Sequence, residues 1–161
     1  MKRSSLIHSC WLKSRVSIPL IGFFLFFPGG YVIADIEFLS IAENSVVMYD
    51  APSLRADKLF VANRHLPVEV IVDVDGWAKV RDSSGGLAWV EKRALSPQRY
   101  VVVTVPLASI HKSADTNSEL VFQAEENIVL EWLDSDSKGW VKVRHSGGQI
   151  GYVKVNQVWG S

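Results

Sequence analysis

Val68, Val70, Val72 and Val74 alternate with Glu69, Ile71, Asp73 and Asp75. An apolar side chain at every second position is the pattern of a strand with one face buried. The alternation resumes at Trp77–Arg81, with Ala78 and Val80 on one side and Trp77, Lys79 and Arg81 on the other. Asp82–Gly86 then reads as a turn, because glycine accepts positive φ while Asp and Ser bond their own backbone. Leu87–Val90 returns as a strand. Centred on Ser84, this hairpin sets Lys79 opposite Trp89 and Arg81 opposite Leu87, and it leaves Ala78, Val80, Ala88 and Val90 as a small inner face. From residue 35 onward no segment holds a helical period. Short strands separated by polar turns predict a small barrel or sandwich.

The pattern is written twice. At an offset of 62, Phe38 meets Tyr100, Leu39 and Ile41 meet Val101 and Val103, Phe60 meets Phe122, Ala62 meets Ala124, and Glu69 meets Glu131. From Gly76 onward the offset is 63, and eight of the twenty positions in 76–95 recur in 139–158. One extra residue in "LEWLDSDSKGW" accounts for the change, and it falls in a stretch suited to a longer turn. The repeats run over about 36–96 and 99–159, joined by "SPQR", Ser96 to Arg99. A repeat of this length fits an all-β pair of tandem, small SH3-like β-barrels, with domains at 35–96 and 99–161.

Residues 1–34 differ in kind. Lys2, Arg3, Lys13 and Arg15 precede the 12-residue apolar run Val16–Phe27, then Pro28-Gly29-Gly30 breaks it and Val32 and Ala34 supply small side chains. Basic start, short apolar run, helix break and small residues are the order of a secretory signal peptide, with cleavage expected between Ala34 and Asp35. The expected location is therefore the periplasm or extracellular space, with no membrane contact after cleavage. The alternative is an uncleaved anchor, since 16–34 spans 19 positions, close to the roughly 20 a bilayer requires. Cys10 is the only cysteine and precedes the apolar run, so residues 35–161 have no disulfide and no thiol nucleophile. The same residues carry 13 basic against 17 acidic side chains and no basic run, which argues against a nucleic-acid partner.

"GWAKVRDSSGGLAWVEKRAL" and "GWVKVRHSGGQIGYVKVNQV" resemble the closing half of bacterial SH3 (SH3b) domains, roughly G-W-x-K-V-x, a Gly-containing turn, then G-W/Y-V. The opening half departs from that family. "VMYDAPS" has Tyr49 and Ala51 where Arg and Gly are usual, and "SIHKSAD" has His111 and no Pro. The resemblance implies a binding module of the cell envelope, of the kind often attached to wall hydrolases or receptors.

Tyr49, Trp77, Lys79, Trp89, Trp140 and Tyr152 are the candidate ligand-binding residues. The four ring-bearing positions of the hairpins can form an aromatic platform for a peptide or glycan. They can equally be covered by the long first loop of each barrel, or by the other barrel. The "MYDAPS" loop superficially resembles the acidic-aromatic loop of proline-binding SH3 domains, but an ordinary loop anchor is the plainer reading. His65, His111 and His145 lack metal-ligand spacing, and "DSDSKG" lacks the length and closing Glu of a calcium loop. No metal or cofactor is expected. No G-x-S-x-G elbow or evident carboxylate pair points to an enzyme.

The expected function is therefore non-catalytic binding of a peptide, peptidoglycan or an envelope protein. The alternative is an assembly protein whose barrels pack as one rigid unit that docks on another envelope protein. If one copy alone binds, the first is expected, since it keeps Pro52, Trp77 and Trp89.

Overall fold

A computed structural model describes residues 36–161 apart from Ser137. The 1–34 segment and the expected cleavage site at Ala34–Asp35 lie outside the described residues.

Each repeat supplies seven strands. The first has β1 (Phe38–Ile41), β2 (Val46–Tyr49), β3 (Lys58–Ala62), β4 (Pro67–Val74), β5 (Trp77–Arg81), β6 (Leu87–Glu91) and β7 (Leu95–Ser96). The second has β8 (Tyr100–Val103), β9 (Leu107–His111), β10 (Leu120–Glu125), β11 (Val129–Ser135), β12 (Trp140–Arg144), β13 (Ile150–Lys154) and β14 (Val158–Trp159). A single 3-10 turn precedes the last strand of each, at Lys92–Ala94 and Val155–Gln157. The sheet orders are β3-β2-β6-β5-β4-β1-β7 and β10-β9-β13-β12-β11-β8-β14, so each strand has its counterpart seven places on. These are two tandem SH3-like barrels, as the repeat predicts.

The hairpin register is the expected one. Lys79 pairs with Trp89 and Arg81 with Leu87, and in the second copy Lys142 pairs with Tyr152. Asp82 Oδ1 accepts from the backbone N–H of Ser84 and Gly86 at 2.9 Å and so closes the turn.

The alternation at 68–75 needs correction. Val68 is fully buried, but Val72 and Val74 are exposed. Ile71 is skipped in the pairing, which runs Val70↔Val80 and then Val72↔Lys79. This bulge reverses the facing of the residues beyond it. Leu133 is skipped at the corresponding point of β11. The extra residue of the second copy sits where the sequence places it. In the first copy the pair Val74↔Trp77 leaves only Asp75-Gly76 between strands, with Gly76 at φ 74°. In the second, Asp136 opens a longer turn, and its carboxylate accepts from the N–H of Lys138 and Trp140 at 2.9 Å.

The cores match position by position. Ile41, Met48, Ala62, Val68, Ala78, Val80, Ala88 and Val90 fill the first. Val103, Ile110, Ala124, Leu130, Val141, Val143 and Val153 fill the second. Gly151 stands where the first copy has Ala88, and Val141 stands where it has Ala78. A methyl on Gly151 would lie 2.5 Å from Ile110 Cγ2 and 2.7 Å from the His111 carbonyl oxygen. Val141 and Gly151 belong to neighbouring same-face pairs of the ladder, Val141↔Val153 and Val143↔Gly151, so the larger residue at one position offsets the smaller at the other within the same interior face.

An ion pair recurs as well. Arg81 forks onto Glu69 at 2.6–2.8 Å across β4 and β5, and Arg144 reaches Glu131 at 2.9 Å at the equivalent place. Glu69 is buried and the Arg81 head is half exposed, so the carboxylate keeps a charge-assisted partner without full burial of both ions.

The barrels pack on each other through residues around the joint. The Arg99 guanidinium lies 4.4 Å from the Trp132 ring centroid and 5.7 Å from that of Phe38. It also donates to the Gly160 carbonyl at 2.9 Å. Phe38 meets Trp159 edge-on at 5.1 Å, and His65 stacks on Tyr100 at 4.2 Å. Ser40 Oγ donates to the Gln98 carbonyl at 2.6 Å. Ser96–Arg99 is thus a clasp, since cation–π and hydrogen-bonding groups there are partnered from both barrels.

Candidate binding clefts

The candidate residues gather on one outer side of each barrel. Tyr49 on β2 pairs with Trp89 on β6, and Trp89 pairs with Lys79 on β5. Tyr49 also meets Trp77 edge-on at 5.5 Å and 85°. In the second copy the matching residues are His111, Tyr152, Lys142 and Trp140. Tyr152 pairs with His111, and His111 meets Trp140 edge-on at 5.9 Å and 85°. The Tyr49–Trp77 contact is therefore repeated with an imidazole in place of the phenol.

Exposure divides the six candidates within each copy. Trp77, Trp89, Lys79 and Tyr152 are half-buried. Tyr49 and Trp140 are each only 8% exposed, so they present edges rather than a platform. None of the six takes part in the ring and guanidinium contacts between the barrels. Lys142 Nζ lies 5.9 Å from the Tyr152 centroid and Lys154 Nζ lies 5.8 Å from that of Trp140. Among the described residues, Lys79 makes no such contact with Trp89, so a cation–aromatic contact across the hairpin is present in the second copy alone.

A cleft opens beside each cluster at homologous positions. The first, ≈ 230 Å³, is lined by Glu43, Val47, Tyr49, Glu91, Arg93 and Ala94 among others. The second, ≈ 110 Å³, is lined by Ser109, His111, Thr116, Trp140, Lys154 and Gln157. Val47, Tyr49, Glu91 and Ala94 align with Ser109, His111, Lys154 and Gln157. The 3-10 turns supply Ala94 and Gln157, so the same local fold builds both floors.

The electrostatics of the two are opposite. In the first, Arg93 Nε donates to Glu91 at 2.6 Å, and this hydrogen bond and charge hold the guanidinium above its ordinary value. Glu43 adds a second acid. In the second, Lys154 replaces Glu91, and the linings carry hydroxyls, an amide and an imidazole. His111 Nδ1 lies 3.1 Å from the Ser118 carbonyl, which can only accept, so the ring nitrogen is the donor.

Glu43, Glu91, Arg93, Lys154 and Gln157 are absent from the sequence-derived site. The signal was available: Glu91 and Lys154 directly follow the repeated Val90 and Val153, and their charges are opposite. Among the described residues no three His, Asp or Glu side chains are grouped so as to hold a metal ion.

Comparison with known families matches residues 42–97 to a bacterial SH3 domain and residues 107–157 to a second bacterial SH3 domain. The chain belongs to the bacterial SH3 domain family, with two such domains in tandem. Among solved structures it is similar to NlpC2 from Trichomonas vaginalis, at 18% identity and a TM-score of 0.37, over 79% of this chain and 49% of that one. It is also similar to an NlpC/P60 family protein from Bacillus cereus, at 17% identity and a TM-score of 0.35, over 76% of this chain and 55% of that one. The chain spans about half the length of those proteins. No curated protein sequence matches it.

Proposed function

We propose that the chain is an exported, non-catalytic binding protein of the cell envelope, whose two barrels hold a peptide, a peptidoglycan stem or a protein partner. One observation carries this reading: each barrel opens a cleft at the same place, beside the same aromatic cluster, and the residues that join the barrels leave both clefts free. Bacterial SH3 domains are generally binding modules, which agrees with it. The clefts are small and shallow, as suits the recognition of a peptide segment rather than enclosure of a reacting substrate. Export rests on the order of residues 1–34. Pull-down on purified sacculi tests the wall-binding form. Retention that falls when Trp77 and Trp89 are both replaced by Ala is the expected result, and retention no better than that of the double variant rejects it.

A second reading is favoured by the clasp at Arg99. Barrels fixed by Phe38, Trp132 and Trp159 make a rigid unit suited to docking on another envelope protein. Crosslinking that recovers one stoichiometric protein partner, without affinity for sacculi, selects this reading.

A further inference from the structure

We infer that the cleft of the second barrel is a site for the terminal carboxylate of a short peptide, and that the homologous cleft of the first barrel is not. The inference rests on the reading of the chain as a binding protein. Lys154 holds an ammonium 5.8 Å from the Trp140 ring centroid, at the rim of the cleft. Among the described residues no carboxylate lies within ion-pair distance of it, as is also true of Lys79 and Lys142, whereas Arg93 at the homologous cleft is paired with Glu91. The cleft around this cation is rich in hydrogen-bond donors: the hydroxyls of Ser109 and Thr116 and the amide of Gln157. Its wall is the Trp140 ring, and His111 is fixed by its bond to the Ser118 carbonyl. A cation, neutral donors and an apolar wall within ≈ 110 Å³ match a carboxylate with a small side chain beside it.

The first barrel supplies the contrast within the same molecule. Glu91 occupies the place of Lys154, Glu43 adds a like charge, and Arg93 is already taken by Glu91 at 2.6 Å. An anion entering there meets two acids and no free cation, so it is repelled.

The test is an NMR titration of the purified protein with N-acetyl-alanyl-alanine and, separately, with its C-terminal amide. The acid is expected to shift the Trp140 indole N–H and the Gln157 amide and to leave Trp77 unmoved. The amide is expected to shift none of them. Lys154→Gln should weaken binding of the acid by about two- to fivefold, the range of one exposed ion pair. Lys154→Arg keeps the charge and should retain binding. Spectra of both variants report whether the barrel is intact. Equal shifts from acid and amide, equal response at Trp77, or undiminished binding by folded Lys154→Gln would overturn the assignment. Retention on sacculi together with equal binding of acid and amide also overturns it, while leaving the binding reading in place.

Discussion

The two barrels agree where they are buried and part where they meet something else. Strand order, the Glu–Arg pair across β4–β5 and β11–β12, and the apolar interior recur. The differences fall in two places. Val70 and Ser96 of the first copy become Trp132 and Trp159 in the second, and both tryptophans serve the clasp. Tyr49 and Glu91 become His111 and Lys154, which inverts the cleft. A close-packed interior restricts replacement to sets of conserved volume, such as Ala78 with Ala88 against Val141 with Gly151. Surface positions carry no such restriction, so one scaffold can hold a docking face and two different clefts.

The two interiors differ most in tolerance at Gly151. Gly151→Ala should destabilise the second barrel by about 3 kcal/mol, because the added methyl meets the His111 carbonyl, which is backbone and cannot turn aside. The counterpart Ala88→Gly should cost only about 1 kcal/mol. Urea unfolding followed by tryptophan fluorescence compares the two. Equal effects would show that the second interior is no tighter at this position than the first.

Arg99→Ala tests whether the barrels behave as one. It removes the cation between Trp132 and Phe38 and the bond to Gly160, and should cost about 2 kcal/mol. Calorimetry should then resolve two transitions where the parent shows one, and a single unsplit transition would count against the clasp.

The ion pairs rank next. Glu69→Gln should cost about 1 kcal/mol, since Glu69 is the more buried acid and carries a forked partner. Glu131→Gln should cost about half that, since Glu131 is more exposed and accepts one bond from Arg144 and one from the Gln98 amide, both at the surface. Chemical denaturation of the two variants measures the order.

The smallest effect is a pH dependence at the joint between the barrels, where His65 stacks on Tyr100. Burial, and to a lesser degree Arg64, hold His65 below its ordinary 6.5, with Glu131 opposing. The unfolded chain then binds the proton more readily. Its contribution to stability is complete above about pH 6.5 and is lost as pH falls toward the lower folded value. His65→Asn should flatten this part of the profile. Asn suits the left-handed backbone there, as Asn127 shows at φ 67° in the second copy against 72° at His65. Melting temperatures of parent and variant at pH 7.5 and 5.5 provide the comparison, and parallel losses would exclude His65 as the source.

Much of this was legible in the residues themselves. Period-2 patterning and the offset of 62 to 63 dictated strands, hairpin register, the longer turn at Asp136 and the number of barrels, because local backbone preference and a one-sided core leave few alternatives. The pattern hid the bulge at Ile71, since an apolar run reads the same whether or not a residue is skipped. It named Tyr49, Trp77 and Trp140 as one group without showing that two of them are buried. It also passed over the partners of Arg99 and the inverted charge at Glu91 and Lys154. Those depend on side chains far apart in sequence meeting across strands and across the joint. Such meetings are fixed by how the barrels close and pack, which no local pattern of residues encodes.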